Sequence, residues 1–171
     1  MTAPKGNGVE EWFTIRWASG RVEMLDQREL PNEERYLSLT EVDEVAVAIE
    51  ELAIRGAPAI GCAAAMGVAL GAWRSDAREV AALVGEIERQ VIPRLQRTRP
   101  TAVNLFWALD RMRETMTRLA GAPGASTDSL REGLLAEAET ILEDDKAICR
   151  EIGQVGLDLV PDGSQILTHC N

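Results

Sequence analysis

Two arginine-bearing stretches of this chain carry the residue types of an anion site. In IRGAPAIG, residues 54 to 61, Gly56 can adopt a positive φ, Ala57 lets a ligand come close, and Pro58 suits the first turn of a helix. A helix beginning there turns main-chain N–H groups outward at its positive dipole end, and Arg55 adds a forked, charge-assisted donor for phosphate. An ordinary interhelix turn with a solvated arginine fits the same letters, and spacing alone favours that plainer reading. In PRLQRTRPTAVN, Arg94, Arg97 and Arg99 fall just ahead of a second helix start. They supply either a local basic site for an anionic substrate or charge compensation at a helix C-terminus.

The third stretch is SQILTHCN, residues 164 to 171, which holds the single histidine and one of three cysteines. Read as a strand, it sends His169 and Cys170 to opposite faces, which disfavours a nucleophile and base pair within it. A thiol at the carboxyl end of an α/β strand does line the usual ligand crevice, and it can act as acid, base or nucleophile if its pKa is lowered. Taken without context, Cys170, like Cys62 and Cys149, reads as a small buried hydrophobe. The carboxylates of EDDK, residues 143 to 146, read as a solvated helix face, and Gly153 with Gly156 as packing or capping residues.

Composition narrows the partners. Hydrophobic residues make up 46% and charged residues 27%, the balance of a chain that folds. A net charge of -10 argues against nucleic acid and anionic membrane as partners. The uncharged run from Ala57 to Trp73 is rich in Ala and Gly and short for a membrane span, so it reads as a buried helix. Cysteines without CxxC spacing and no signal-peptide pattern point to reduced thiols in the cytoplasm.

The elements that must position these residues follow from periodicity. Residues 1 to 8 read as a flexible tail. EWFTIRWA, RVEMLDQREL and ERYLSLT, with Ser19-Gly20 and Pro31-Asn32 as turn signals, predict a small antiparallel sheet. Val42, Val45, Ile49 and Leu52 predict a first helix capped by Thr40 and ending near Arg55-Gly56. A second helix follows over 58–73, whose Gly61, Ala65, Gly67 and Gly71 admit close neighbours, and a third from about Asp76 until Pro93 disturbs it. Leu105, Leu109, Met112, Met116 and Leu119 mark a fourth, and GAPGAST is a linker. A long helix over about 128–152 carries Leu134, Ala138, Ile141 and Ile148 on one side, and Pro161-Asp162-Gly163 turns into the final strand. The order predicts an α+β N-terminal domain over 9–122, a small antiparallel sheet plus helices. Residues 123–171 then supply a linker, a long helix and the first strand of a Rossmann-like α/β domain that is incomplete here.

Taken together, RGAPAIG, RPTAVNLFWALDRM, CREIGQVG and ILTHCN, in this order and at these separations, resemble the N-terminal half of the methylthioribose-1-phosphate isomerase family, enzymes of methionine salvage. The resemblance runs from about Val9 to Asn171. It implies an N-terminal sheet-and-helix domain followed by a Rossmann-like domain, and isomerisation of 5-methylthioribose 1-phosphate to 5-methylthioribulose 1-phosphate. It further implies substrate binding by Arg55, Gly56, Ala57 and Arg99, a catalytic role for Cys170, and a catalytic aspartate beyond residue 171. A small-molecule sugar phosphate is the partner it implies, with no cofactor, no metal and a homodimer for the complete protein; this chain alone is then expected to be inactive.

Three other readings share these letters. A ribose-1,5-bisphosphate isomerase differs at the sugar's far end, where extra cationic residues would be needed. A regulatory subunit of the related nucleotide-exchange factor keeps the fold without the chemistry, although Arg-Gly-Ala followed later by Thr-His-Cys-Asn favours the catalytic branch. A free-standing helical binding module needs no active site at all.

Overall fold

The computed structural model describes residues 12–167. Three short strands, β1 (Ile15–Trp17), β2 (Val22–Leu25) and β3 (Tyr36–Leu39), form an antiparallel meander in that order. Ile15 faces Met24, and Met24 faces Leu37. The β1–β2 turn closes with Ala18 N–H on the Arg21 carbonyl at 2.9 Å, and Ser19 (φ 49°) and Gly20 (φ 86°) both take the left-handed backbone that a tight hairpin requires. The hairpin sits on Trp73, whose ring meets Trp17 edge-on at 5.7 Å. One face of this sheet, with Ile15, Val22, Met24 and Leu39, joins the helical core.

Six α-helices follow: α1 (Val42–Glu50), α2 (Ala57–Arg74), α3 (Val80–Glu86), α4 (Ile92–Gln96), α5 (Val103–Ala120) and α6 (Thr127–Gly156). The cap of α1 differs from expectation. Glu41, not Thr40, is the N-cap, and the Glu44 carboxylate turns back to accept the main-chain N–H groups of Thr40 (2.6 Å) and Glu41 (3.1 Å). A carboxylate reaching two orphan donors displaces a hydroxyl that reaches one. The helix also stops earlier than the spacing suggested, because Leu52 adopts φ 62° and the chain turns at 51–56.

Helix α2 is the axis of the domain. Residues 60–72 are buried on every side, as an all-apolar helix must be. Its small residues bring the neighbours in: a Cβ on Gly71 would lie 2.7 Å from Val91 and 3.2 Å from Val42. Between α3 and α4 the helix widens into one π turn, Ile87–Val91, where Ile92 N–H donates to Ile87 five residues back. Pro93, which has no N–H to give, is therefore carried inside the helical path instead of ending it.

Helix α5 buries the expected stripe of Leu105, Leu109, Met112 and Met116. Helix α6 opens on Ser126, which accepts from Ser129 N–H at 3.1 Å, and its first half buries Leu130, Leu134, Ala138 and Ile141 in the same core. Arg131 ties α6 to the end of α2: Nε donates to the Ala72 carbonyl, and Nη2 to those of Ser75 and Ala77. Beyond Ile141 the helix outruns the body. Ile148, expected on the buried side, is 55% exposed, and Ile152 and Val155 continue that bare stripe.

Past a short 3-10 turn (Leu157–Leu159), Ser164 N–H closes the Pro161 turn. Residues 164–167, the described part of the expected final strand, are not in a strand, since a strand needs a neighbour and none is present there among the described residues. The tail at 1–8 and residues 168–171 lie outside the described residues. No described helix is long and apolar enough to cross a membrane.

Candidate functional site

The loop from Glu51 to Gly56 turns the chain from α1 into α2, with Ala53 and Ile54 fully buried as its anchors. Gly56 is the N-cap of α2 at φ 97° and ψ 131°. Space is not what demands glycine there, because a Cβ would meet only Ala59 at 4.0 Å; the positive φ demands it. Since Gly56 has no side chain to cap the helix, and Ala57 and Pro58 are exposed, the first turn of α2 faces outward with uncapped N–H groups.

The start of α5 has the same character. Its N-cap, Ala102, likewise offers no capping side chain, and Arg99 precedes it by one turn, with the Arg99 carbonyl accepting Ala102 N–H at 3.0 Å. Gly61 on α2 packs against Asn104 on α5, bringing the two helix N-termini side by side. Arg55 and Arg99, 44 positions apart in sequence, therefore precede two neighbouring, uncapped helix starts. Such an end supplies N–H donors and a positive field, and paired ends with arginines beside them suit a phosphate.

The arginines differ in their restraints. Arg55 Nη2 donates to the Gln27 carbonyl at 3.0 Å, and its Nε is buried without a partner among the described residues. The half-buried Arg99 has neither an ion pair nor a hydrogen bond from its guanidinium to any described residue. Arg94, by contrast, belongs to the scaffold: Nε reaches Asp43 and Nη1 reaches Glu50, both at 2.6 Å, joining α4 to α1. The Glu50 and Asp43 carboxylates hold its pKa above the ordinary arginine value. The basic cluster seen in sequence thus divides, and Arg97 lines a separate surface groove with Arg74, Arg89 and Arg94.

A cleft of about 700 Å³ between β1, α2 and α6 is lined by Trp12, Trp17, Cys62, Met66, Glu143 and Arg150 among others, but by neither Arg55 nor Arg99. Burial, followed by the nearby Asp145 carboxylate, pushes the Cys62 thiol up to about 12, so it stays protonated and unreactive. The expected catalytic Cys170 lies outside the described residues. No group of three His, Cys, Asp or Glu side chains is placed to hold a metal among the described residues.

The sequence reading missed the brace beneath Arg55. Asp26 is 1% exposed and is held by Arg28, whose Nη1 also reaches Glu51 at 2.6 Å. The signal was an aspartate directly after the strand VEML and ahead of the turn that Pro31-Asn32 marks.

The fold agrees with what comparison shows. The chain belongs to the Initiation factor 2 subunit family, whose model matches residues 53–171. Within it, the chain is 49% identical over 158 residues to a methylthioribose-1-phosphate isomerase of Trichlorobacter lovleyi, covering 92% of this chain and 44% of that protein. The isomerase of Geobacter metallireducens matches at the same identity and coverage. Among solved structures, 5-methylthioribose 1-phosphate isomerase from Pyrococcus horikoshii OT3 superposes with a TM-score of 0.82 at 36% identity, covering 88% of this chain and 41% of that one. The delta subunit of translation initiation factor eIF-2B from A. fulgidus gives 0.80 at 38% identity, covering 92% and 44%. The chain spans less than half the length of the curated relatives it matches.

Proposed function

We propose that the complete polypeptide is an aldose-ketose isomerase that converts 5-methylthioribose 1-phosphate to 5-methylthioribulose 1-phosphate in methionine salvage, and that this chain supplies its phosphate-binding part. The observation that carries the reading is the pairing of uncapped helix starts behind Arg55-Gly56-Ala57 and Arg99, in a chain 49% identical to methylthioribose-1-phosphate isomerases. Two arginines and two positive helix ends hold a dianionic phosphate without a metal ion.

The substrate sets the remaining requirements. Its C1 carries phosphate, so the ring cannot open to a free aldehyde, and hydrogen must move between C2 and C1 by proton transfer through a cis-phosphoenolate or by hydride shift. Either route needs an acid and a base of shifted pKa in a dry pocket. In this reading Cys170 is one of them, an aspartate beyond residue 171 is the other, and no cofactor takes part. Residues 9–122 are the sheet-and-helix domain in this division, and 123–171 lead into a Rossmann-like domain where residues 164–167 find a strand partner. The bare stripe of Ile148, Ile152 and Val155 supports further chain packing on α6. The protein is then a cytoplasmic homodimer.

Assay of a polypeptide extended to the relatives' length, beside the 171-residue chain, tests the proposal. Turnover of 5-methylthioribose 1-phosphate by the extended protein and none by this chain is the expected result. Preference for ribose 1,5-bisphosphate would move it to that isomerase, and inactivity on both would favour a non-catalytic regulatory member of the family.

A further inference from the structure

We propose that Asp26 is a positioning residue for Arg55, acting through Arg28 and the Gln27 main chain. The inference rests on the reading that Arg55 binds the sugar phosphate. Three consecutive residues at the end of β2 grip the loop that carries Arg55. The Asp26 carboxylate accepts Arg28 N–H at 3.1 Å and Nε at 2.8 Å on Oδ1, and Nη2 at 2.6 Å on Oδ2. That locks the backbone at 26–28 and aims the remaining Arg28 nitrogen, Nη1, at Glu51 where α1 ends. Between them, Gln27 N–H donates to the Ala53 carbonyl at 2.9 Å, and the Gln27 carbonyl accepts Arg55 Nη2 at 3.0 Å. Contacts from 26–28 thus reach 51, 53 and 55 in turn.

This arrangement consumes one edge of the Arg55 guanidinium and leaves another in need. Nε is buried with no acceptor among the described residues, an arrangement that is costly for a polar group and more so for a charged one. An anion oxygen is the acceptor that removes it. Asp26, 1% exposed, touches no ligand itself; it fixes the carbonyl against which Arg55 is oriented. Loss of that carbonyl's position frees a long side chain to rotate, so binding weakens before chemistry does.

The test compares Asp26→Asn, Arg28→Lys, Arg55→Lys and the double variant Asp26→Asn/Arg55→Lys in the extended protein, by steady-state kinetics on 5-methylthioribose 1-phosphate. Asp26→Asn and Arg28→Lys are expected to raise KM about tenfold with kcat little changed, and the double variant to match Arg55→Lys instead of multiplying the losses. Glu137→Gln, which disturbs the remote Arg111 pair between α5 and α6, should leave KM unchanged. If Asp26→Asn fails to fold, Arg28→Lys decides. Unchanged KM in the Asp26 and Arg28 variants beside a raised KM in Arg55→Lys overturns the positioning role alone. Multiplied losses in the double variant, or an equal loss in Glu137→Gln, overturn it as general loosening. No effect of Arg55→Lys, or no turnover by the unsubstituted protein, removes the substrate reading and this inference together.

Discussion

Gly61 of α2 and Asn104 of α5 meet backbone to backbone: a Cβ on Gly61 would stand 2.9 Å from the Asn104 main-chain oxygen. That contact, one turn into α2 and in the first turn of α5, sets how closely the two helix starts lie, and with them the approaches of Arg55 and Arg99.

Gly61→Ala is therefore expected to destabilise the fold. Alanine gains roughly 0.5–1 kcal/mol over glycine inside a helix, but overpacking against a fixed main-chain atom costs about 1–3 kcal/mol, and the second term is the larger. Gly153, inside α6, has nothing within 4 Å of its built Cβ, so Gly153→Ala gains the helix term without the clash. Thermal unfolding should show Tm falling in the first variant and holding or rising in the second; a rise in both would mean that α2 and α5 adjust freely.

The Asp26–Arg28 pair predicts a pH response. The hydrogen bonds and charge of Arg28 outweigh burial and hold the Asp26 carboxyl below its ordinary value of 3.8. A lowered folded-state pKa adds stability above the ordinary value and loses it as pH falls through the lowered one. The Tm gap between the unsubstituted protein and Asp26→Asn should accordingly be steady from pH 7 to 5 and close below about 3.8. A gap that closed between pH 6 and 5 would contradict the ion pair.

Thiol labelling should separate two cysteines. Cys62 is buried with its pKa pushed up to about 12, whereas Cys149 is exposed. At pH 8 such a buried thiol is ionised in roughly one molecule in ten thousand. Brief iodoacetamide treatment followed by peptide mass mapping should find Cys149 alkylated and Cys62 untouched until denaturant is added. Equal labelling of both under native conditions would place α2 outside the core.

In the extended protein, Cys170→Ala should lower kcat by about 100-fold or more, the usual contribution of a positioned acid or base. On the proposed reading, Arg99→Ala should act chiefly on KM, because the phosphate contact it would remove is common to ground and transition states. Full kcat in Cys170→Ala would return that thiol to a structural role.

Several of these relationships were legible in one dimension and others were not. Helix α2 announced itself as a long uncharged run that no exposed helix carries, and α5 through a stripe from Leu105 to Met116. Ser19-Gly20 specified a turn because the backbone there needs positive φ. The split of the basic cluster was invisible, since Arg94 and its acceptors Asp43 and Glu50 lie more than forty positions apart. So was the emergence of Ile148 from the core, because periodicity states which face of α6 is apolar and not where its neighbours stop.

By itself, then, the sequence determined the elements and the family, through local periodicity, turn chemistry and motifs whose spacing needs no third dimension. Only the tertiary structure decided which arginines belong to the scaffold, that the two helix starts converge at Gly61 and Asn104, and that the Gln27 carbonyl, beside the Asp26–Arg28 pair, receives Arg55. Those are pairings between residues distant along the chain, and they exist only once burial around α2 has brought their elements together.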